Sequence, residues 1–257
     1  MIVVDKLCYR SGLRYVNAGE KFAFSMITLL FCVISRSLVI AGIVFAVNAY
    51  LTVKKGHIAA KQYIKLLAVP FTFLILSTLA IIVNISKVPL DAYAIPVGSF
   101  FITGSFQSLL FGIQLIATAM ASVTCLYFLS LNTTMTDILG VLTKLHCPEI
   151  LTELMLLIYR FIFVLMDTAS AIMVSQKSRL GNRDFRTSVN SFGKMAAGLL
   201  LRAFKRSNAL YDAMESRCYD GKIRVLEENH PARKKEIAAI AVFELILLVL
   251  TIWRSFL

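Results

Sequence analysis

Two short motifs with the same order of residue types are the part of this sequence best suited to chemical recognition. Each is a Ser-Arg pair followed by a glycine: Ser178-Arg179-Leu180-Gly181 and Ser216-Arg217-Cys218-Tyr219-Asp220-Gly221. A guanidinium presents a rigid fork of donors that matches a carboxylate. Both motifs end long amphipathic segments, so they predict docking to two copies of a partner. Solvated or snorkelling arginines are the alternative that the spacing leaves open.

The other residue types that could do chemistry are dispersed. His57, His146 and His230 lie in or beside connections between apolar segments, whereas a transition-metal site needs clustered imidazole or thiolate ligands. The five cysteines lack the spacing of a metal site or of a disulfide framework. Neither a Walker A motif nor H-E-x-x-H nor G-x-S-x-G occurs. We therefore expect a protein that is not an enzyme and carries no cofactor or metal on this chain.

The composition predicts an integral membrane protein. Of its 257 residues, 58% are hydrophobic and 16% are charged, whereas a soluble domain has about 25% charged residues. Five apolar segments approach or exceed the length of a membrane helix, which needs about 20 residues. They lie at about 22–35, 37–53, 66–86, 105–130 and 237–253. The predicted fold class is all-α, with about five transmembrane helices plus long amphipathic cytoplasmic helices.

The positive charges predict how the chain crosses the membrane. The net charge is +12, and the Lys and Arg residues concentrate in 1–21, 54–65 and 177–235. Cytoplasmic loops carry the Lys/Arg excess. All three regions fall on one side if 22–53 crosses twice, with a turn at Ser35-Arg36-Ser37. We therefore expect a cytoplasmic N-terminus and an external C-terminus. Nucleic-acid binding is the rival explanation of the charge, and the position of the basic residues between apolar spans disfavours it.

The connection between the third and fourth spans is predicted to be an external loop. It covers 87–104 and contains Pro89, Pro96, Gly98 and Gly104, and such residues punctuate loops.

The predicted organisation of the chain has three parts. Residues 1–130 hold an N-terminal segment and four spans, residues 131–235 form a cytoplasmic region, and residues 236–257 hold the final span.

The cytoplasmic region is predicted to consist of amphipathic helices. Thr134-Met135-Thr136-Asp137 has the pattern of a capping box and predicts a first helix as far as about His146. A second helix is predicted from Glu149 to near Gly181, its C-cap, because apolar residues recur at i, i+3 and i+4. A third helix is predicted over about 187–216.

In the order and spacing of these motifs, the chain resembles the transmembrane (T) component of energy-coupling-factor transporters, in particular its cobalt-transport branch. The resemblance covers about residues 120–226, and the N-terminal spans agree in layout only. The matching stretches are Leu129-Ser130-Leu131-Asn132-Thr133-Thr134, Leu157-Ile158-Tyr159-Arg160-Phe161, Ser175-Gln176-Lys177-Ser178-Arg179-Leu180-Gly181, Leu201-Arg202-Ala203, Ser216-Arg217-Cys218 and Gly221-Lys222-Ile223-Arg224-Val225-Leu226.

The resemblance implies a docking role for the two motifs. In this family two Xaa-Arg-Xaa motifs, often Ala-Arg-Gly, end the coupling helices, and each sits in a groove of one ABC-type ATPase subunit. The matching ATPase-docking residues are Ser178, Arg179, Leu180, Ser216, Arg217 and Cys218. Both motifs here begin with serine and end in leucine or cysteine instead of glycine, while both arginines are present.

The resemblance also implies the partners. The ATPase subunits bind the ATP, and a separate substrate-binding membrane (S) subunit holds the metal; a small accessory membrane subunit is a further implied partner. The coupling helices would pass the motion of the ATPases to the S subunit, in the lipid bilayer of a bacterial or archaeal cell membrane. The implied substrate is cobalt, with nickel or a vitamin as alternatives, and no nucleic acid is expected.

A self-sufficient secondary transporter or channel is the alternative function. Such proteins need polar residues near the midplane and are often built from repeated halves. Glu244 lies inside the last predicted span, where a carboxylate is a functional candidate. A snorkelling or hydrogen-bonded carboxylate at a helix contact is the other interpretation of Glu244. The sequence has no internal repeat, which favours the coupling subunit.

Overall fold

The computed structural model describes residues 3–82, 84–86, 93–97, 100–104, 106–221, 223, 231 and 233–255. The helices within these ranges are α1 (Val3–Arg10), α2 (Ala18–Ser35), α3 (Leu38–Tyr50), α4 (Ala60–Ile82), α5 (Phe106–Asn132), α6 (Met135–Lys144), α7 (Glu149–Ser178), α8 (Phe185–Glu215) and α9 (Lys234–Ser255). A π-helical turn over Leu51–Lys55 extends α3. The strands are β1 (Asn84–Ser86), β2 (Tyr93–Val97) and β3 (Phe100–Gly104).

Five of these helices are long and apolar enough to cross a membrane: α2, α3 with its π-helical turn, α4, α5 and α9. They confirm the number and order of the predicted spans and the all-α fold class. Only 11% to 28% of the residues in each span are buried inside the chain, so most apolar side chains face outward. That surface suits lipid, since a helix satisfies its backbone hydrogen bonds internally. Helix α4 begins at Ala60, before the predicted 66. The prediction followed the apolar segment alone, whereas the helix also includes the polar turn with Lys61 and Lys65.

The corner between α2 and α3 confirms the predicted turn. Asn17 caps the start of α2, and its Oδ1 accepts the backbone N–H of Gly19 at 2.8 Å. Arg36 ends α2 in the left-handed conformation, with φ 45°. The Gln114 side chain of α5 donates to the Arg36 carbonyl, which fixes the corner against a neighbouring span. Two short helices therefore replace one long one.

A three-stranded antiparallel sheet follows α4: β2 and β3 lie in the segment that was expected to be a loop, and β1 lies at the end of the predicted third span, 66–86. The strand order is β1-β3-β2, and Ile102 pairs with both Ile85 and Ile95. The loop prediction is wrong for β2 and β3, because β-branched and aromatic residues favour paired backbone. The third span also ends earlier than the predicted 86, since α4 stops at Ile82 and β1 begins at Asn84. Pro96 is compatible with the sheet because β2 is an edge strand, where a missing N–H costs no ladder bond. Residues 87–92 and 98–99 lie outside the described residues.

By their contacts, the residues divide into two compact units, one of 139–227 and one of 2–138 with 228–257. The larger unit holds the five spans. Val44, Cys125 and Leu247 are fully buried where α3, α5 and α9 meet. Lipid is as apolar as these side chains, so dispersion contacts stabilise this core more than water exclusion does. The predicted division at residues 130 and 235 stays a prediction.

A buried polar cluster within the larger unit ties α5 to the start of α2. Lys21 is 3% exposed, and its ammonium donates to the carbonyls of Leu13 at 3.0 Å and Asn132 at 2.8 Å. The side chain of Asn132, which is fully buried, accepts from Ser11 Oγ at 2.6 Å and donates to the Phe128 carbonyl at 2.8 Å. The cluster therefore fixes the last residue of α5.

Helix α6 begins three residues after that anchor. Thr134 Oγ1 accepts the backbone N–H of Asp137 at 3.3 Å, which is one half of the predicted capping box. The helix ends at Lys144, and His146 adopts a positive φ of 61° beyond it. The buried Asn132 thus lies two residues before Thr134, which caps α6.

Candidate docking site

The two long helices of the smaller unit carry both sequence motifs at their ends. Helices α7 and α8 have 30 and 31 residues, so each is about 45 Å long. Their bounds confirm the predicted amphipathic helices. None of the α7 residues is buried, and Met195 is the buried residue of α8. Large apolar side chains on both helices are therefore exposed, among them Ile158, Phe192 and Phe204.

The first motif forms a Schellman turn at the end of α7. The Gly181 N–H donates to the Gln176 carbonyl at 2.8 Å, and the Leu180 N–H donates to the Lys177 carbonyl at 3.1 Å. Leu180 adopts the left-handed conformation, with φ 57°. These bonds satisfy carbonyls that the helix end would otherwise leave open. We call residues Ser178–Gly181 cap 1.

The second motif repeats this geometry at the end of α8. The Tyr219 N–H donates to the Met214 carbonyl at 3.1 Å, and the Cys218 N–H donates to the Glu215 carbonyl at 3.0 Å. Cys218 has φ 59°, so it corresponds to Leu180. We call residues Ser216–Tyr219 cap 2. Arg217 therefore occupies the same position in cap 2 as Arg179 occupies in cap 1.

The serines of the two caps also behave alike. Ser178 Oγ donates to the Val174 carbonyl at 3.1 Å, and Ser216 Oγ donates to the Ala213 carbonyl at 3.0 Å. Both hydroxyls are thus used by their own helix. Serine at the start of each motif therefore supports the helix end and leaves the arginine as the group presented outward.

The left-handed residue explains why glycine suits the third position of such a motif. An L-residue in this conformation costs roughly 1 to 2 kcal/mol, which glycine avoids. Leucine and cysteine at this position form the same backbone hydrogen bonds in the two caps, so the caps share one backbone geometry. Leu180 is 70% exposed, so its apolar side chain lies beside Arg179 on the surface.

Gly181 is not the predicted C-cap of α7, because Arg179 holds that position and Leu180 takes the left-handed conformation that follows it. A Cβ on Gly181 would lie 2.8 Å from the Gln176 carbonyl oxygen and 3.0 Å from Ser191 Oγ. Glycine is therefore required there for close approach and not for its dihedral freedom. In contrast, Gly221 adopts a positive φ of 88°.

Both arginines are available to a partner. Arg179 and Arg217 are exposed, and within the described ranges neither forms an ion pair. The 31 residues of α8 separate the two caps by about 46 Å along that helix. The structure thus places Ser178, Arg179 and Leu180 in cap 1, and Ser216, Arg217 and Cys218 in cap 2. Their docking role stays a prediction.

Sequence reasoning missed the side chains that tie the caps to the neighbouring helix. Glu153 of α7 accepts from the Tyr219 hydroxyl at 2.8 Å and from the Ile223 N–H at 2.9 Å. Ser191 of α8 donates to the Gly181 carbonyl at 2.8 Å. No local pattern signals these bonds, because Glu153 and Tyr219 are 66 residues apart in the chain.

Glu244 lies at a helix contact inside the larger unit. It is 9% exposed, and its Oε1 accepts from Thr28 Oγ1 of α2 at 2.7 Å. This geometry favours the interpretation of a hydrogen-bonded carboxylate at a contact between spans. In the part of the chain that the structure describes, no group of three or more His, Cys, Asp or Glu side chains could hold a metal. His230 lies outside that part.

Comparison with known proteins gives one family. Residues 10–231 match the family described as cobalt transport protein, CbiQ. An uncharacterised protein of Methanocaldococcus jannaschii is 32% identical over 248 residues, which cover 96% of this chain and 92% of that protein. A putative fused cobalt transport protein CbiMQ of Methanocorpusculum labreanum is 30% identical over 253 residues, 96% of this chain and 41% of the relative.

A further relative carries the name of the wider transporter group. The energy-coupling factor transporter transmembrane protein EcfT of Staphylococcus aureus is 31% identical over 126 residues, which cover 45% of this chain and 44% of that protein. The family match extends over most of the chain. It includes both caps and every described span except α9. The chain therefore belongs to the CbiQ cobalt transport protein family, the cobalt branch of the transmembrane components of energy-coupling-factor transporters, and is a multi-pass membrane component of such transport.

Proposed function

We propose that this chain is the coupling subunit of an ATP-driven importer of cobalt ions. The observation that carries the proposal is the shared backbone of caps 1 and 2, each with an exposed arginine in the same position. Two equivalent ends suit two equivalent ATPase subunits. An arginine bound to a carboxylate in a groove forms charge-assisted, bidentate hydrogen bonds that specify geometry as well as affinity.

The long helices suit the transmission of motion. Helices of about 45 Å are stiff, and their exposed apolar side chains form surfaces of the kind that mark interaction sites. Ile158, Phe192 and Phe204 are 58%, 65% and 62% exposed. In the proposed mechanism these surfaces meet a substrate-binding membrane subunit, which holds the cobalt as cargo. ATP is bound and hydrolysed by the partner ATPases, while this chain is not an enzyme.

The names of relatives support this set of partners. One is a putative fused cobalt transport protein CbiMQ, and another is an energy-coupling factor transporter transmembrane protein. This chain corresponds to less than half of the fused relative, which is consistent with a second membrane component as its partner. A small accessory membrane subunit is a further proposed partner. Nickel is the alternative cargo, because specificity would lie in the substrate-binding subunit.

The proposed location is the cell membrane of a bacterium or archaeon, with the N-terminus and both caps in the cytoplasm. The basic residues of 54–65 then lie on the same side as those of 1–21. A reporter fused after Val53 is expected to read as cytoplasmic, because α2 and α3 cross the membrane twice. Fusions in the corner at Arg36 serve as the matched external control. An external reading after Val53 would contradict the topology.

The function is tested by tagging the chain in its own cells, solubilising the membrane gently and identifying what co-purifies. Recovery of an ABC-type ATPase together with a second integral membrane protein is the expected result. The ATPase activity should disappear when the Walker A lysine of the co-purified subunit is replaced. A chain that purifies alone and moves an ion without ATP would instead be a self-sufficient secondary transporter.

A further inference from the structure

Cap 2 is held by a side chain from the other long helix. Glu153 lies near the start of α7, and each of its carboxylate oxygens accepts one hydrogen bond from the segment after α8, at 2.8 Å from Tyr219 and at 2.9 Å from Ile223. The bond from the phenol raises the pKa of Tyr219, since it favours the protonated form. We call these three residues the Glu153 clamp.

Cap 1 is held in a different way. Gln176 Nε2 donates to the Ser191 carbonyl at 2.8 Å, and Ser191 Oγ donates to the Gly181 carbonyl at 2.8 Å. Gln176 and Ser191 are 15 residues apart, on the two sides of the turn between α7 and α8. Cap 1 therefore stays in place while that turn is intact. Cap 2 instead depends on the contact between Glu153, near the start of α7, and the segment after the end of α8.

We propose that Glu153 is a positioning residue for Arg217. The Tyr219 N–H forms the bond to the Met214 carbonyl that closes cap 2, so a hold on the Tyr219 side chain fixes the last residue of the cap. Arg217 lies two residues before Tyr219. The assignment rests on the proposed function, because the position of Arg217 matters for docking to an ATPase.

Cap 2 needs this hold for a conformational reason. Cys218 is in the left-handed region, which is unfavourable for a residue with a Cβ, and the four residues of cap 2 are exposed. A cap that frays must be ordered again when it docks, and that ordering weakens binding. Loss of the hydrogen bonds to the charged carboxylate is expected to weaken ATPase binding by about tenfold.

The first test measures the order of cap 2 without any ATPase. Cys218 is exposed, so a nitroxide label on it reports cap mobility in the full-length chain. Cys147 is replaced by serine, and Cys8, Cys32 and Cys125 are buried. Burial also raises the pKa of the Cys8 thiol to about 11, which slows its labelling. Glu153→Ala and Tyr219→Phe are expected to raise the label's mobility, and Glu153→Gln is expected to restore part of the order.

The second test asks whether the clamp acts through Arg217. The probe is the ATPase that co-purifies with the wild-type chain, and its affinity is measured for each unlabelled variant. Glu153→Ala is expected to weaken binding about tenfold in the wild-type background and in the Arg179→Ala background. It should have no further effect in the Arg217→Ala background, because the arginine that it positions is already absent.

Ser191→Ala is the matched control. It removes a tie on cap 1 and should leave the label on Cys218 unchanged. Equal mobility of that label in Glu153→Ala and in the wild type would overturn the clamp. Additive losses in Glu153→Ala and Arg217→Ala would show a general structural role and overturn the positioning of Arg217. Absence of any ATPase bound to the wild-type chain would overturn the proposed function, and the docking role of Glu153 with it.

Discussion

Alanine at both Arg179 and Arg217 is expected to abolish ATP-driven cobalt uptake and to leave the chain in the membrane. Both guanidiniums are exposed and without an ion pair in the described ranges, so their removal takes no packing from either helix. Truncating one partner of a desolvated charge pair costs about 2 kcal/mol or more, so two such losses weaken binding by about a thousandfold. Uptake of labelled cobalt and recovery of the ATPase measure the effect.

The control must remove the same charge elsewhere on these two long helices. Arg202 and Arg206 are exposed on the body of α8, away from both caps. Replacing both by alanine is expected to leave uptake and ATPase recovery within about twofold of wild type, since exposed charges contribute little. Single variants at Arg179 and Arg217 should each lose part of the affinity. Normal uptake in the double variant would rule out the docking role of the arginines.

The spans could be predicted because lipid imposes one rule on the chain. Long apolar segments must form helices there, and the break at Arg36 was visible as a polar interruption between two of them. The ends of α7 and α8 were visible for a similar reason, since polar residues and Gly181 or Gly221 follow the last apolar turn. Local composition is enough where one local rule decides the structure.

What could not be predicted depends on contacts between distant residues. The sheet forms because Ile102 pairs with Ile85 and Ile95, and this pairing outweighs the loop signal of Pro96 and Gly104. The shared geometry of the two caps could not be predicted from the sequence for a different reason. Leu180 and Cys218 adopt a conformation that residue type alone assigns to glycine, and helix-end hydrogen bonds select it.

Gly56→Ala is expected to destabilise the chain strongly, because Gly56 lies against the polar cluster at the end of α5. An added Cβ would lie 2.4 Å from the Thr52 carbonyl oxygen and 2.5 Å from Asn132 Oδ1. The Thr52 oxygen belongs to the backbone and cannot rotate away, so the turn at Gly56 must shift, and the Asn132 side chain, which the same Cβ meets, must move as well. Moving it breaks the 2.6 Å bond from Ser11 and disturbs the carbonyl that Lys21 holds.

Overpacking typically costs 1 to 3 kcal/mol and a lost buried hydrogen bond adds about 1 to 3, so we expect a loss of about 3 kcal/mol. The thermal midpoint of the detergent-solubilised chain, followed by size-exclusion chromatography, measures the loss. Gly42→Ala is the matched control, because no atom beyond its chain neighbours and its own helix backbone lies within 4 Å of its added Cβ, and alanine favours the helix. Equal thermal midpoints for the two variants would mean that Asn132 and its neighbours can move to accommodate the added Cβ at little energetic cost. In that case the cluster would not be a rigid anchor for the start of α6.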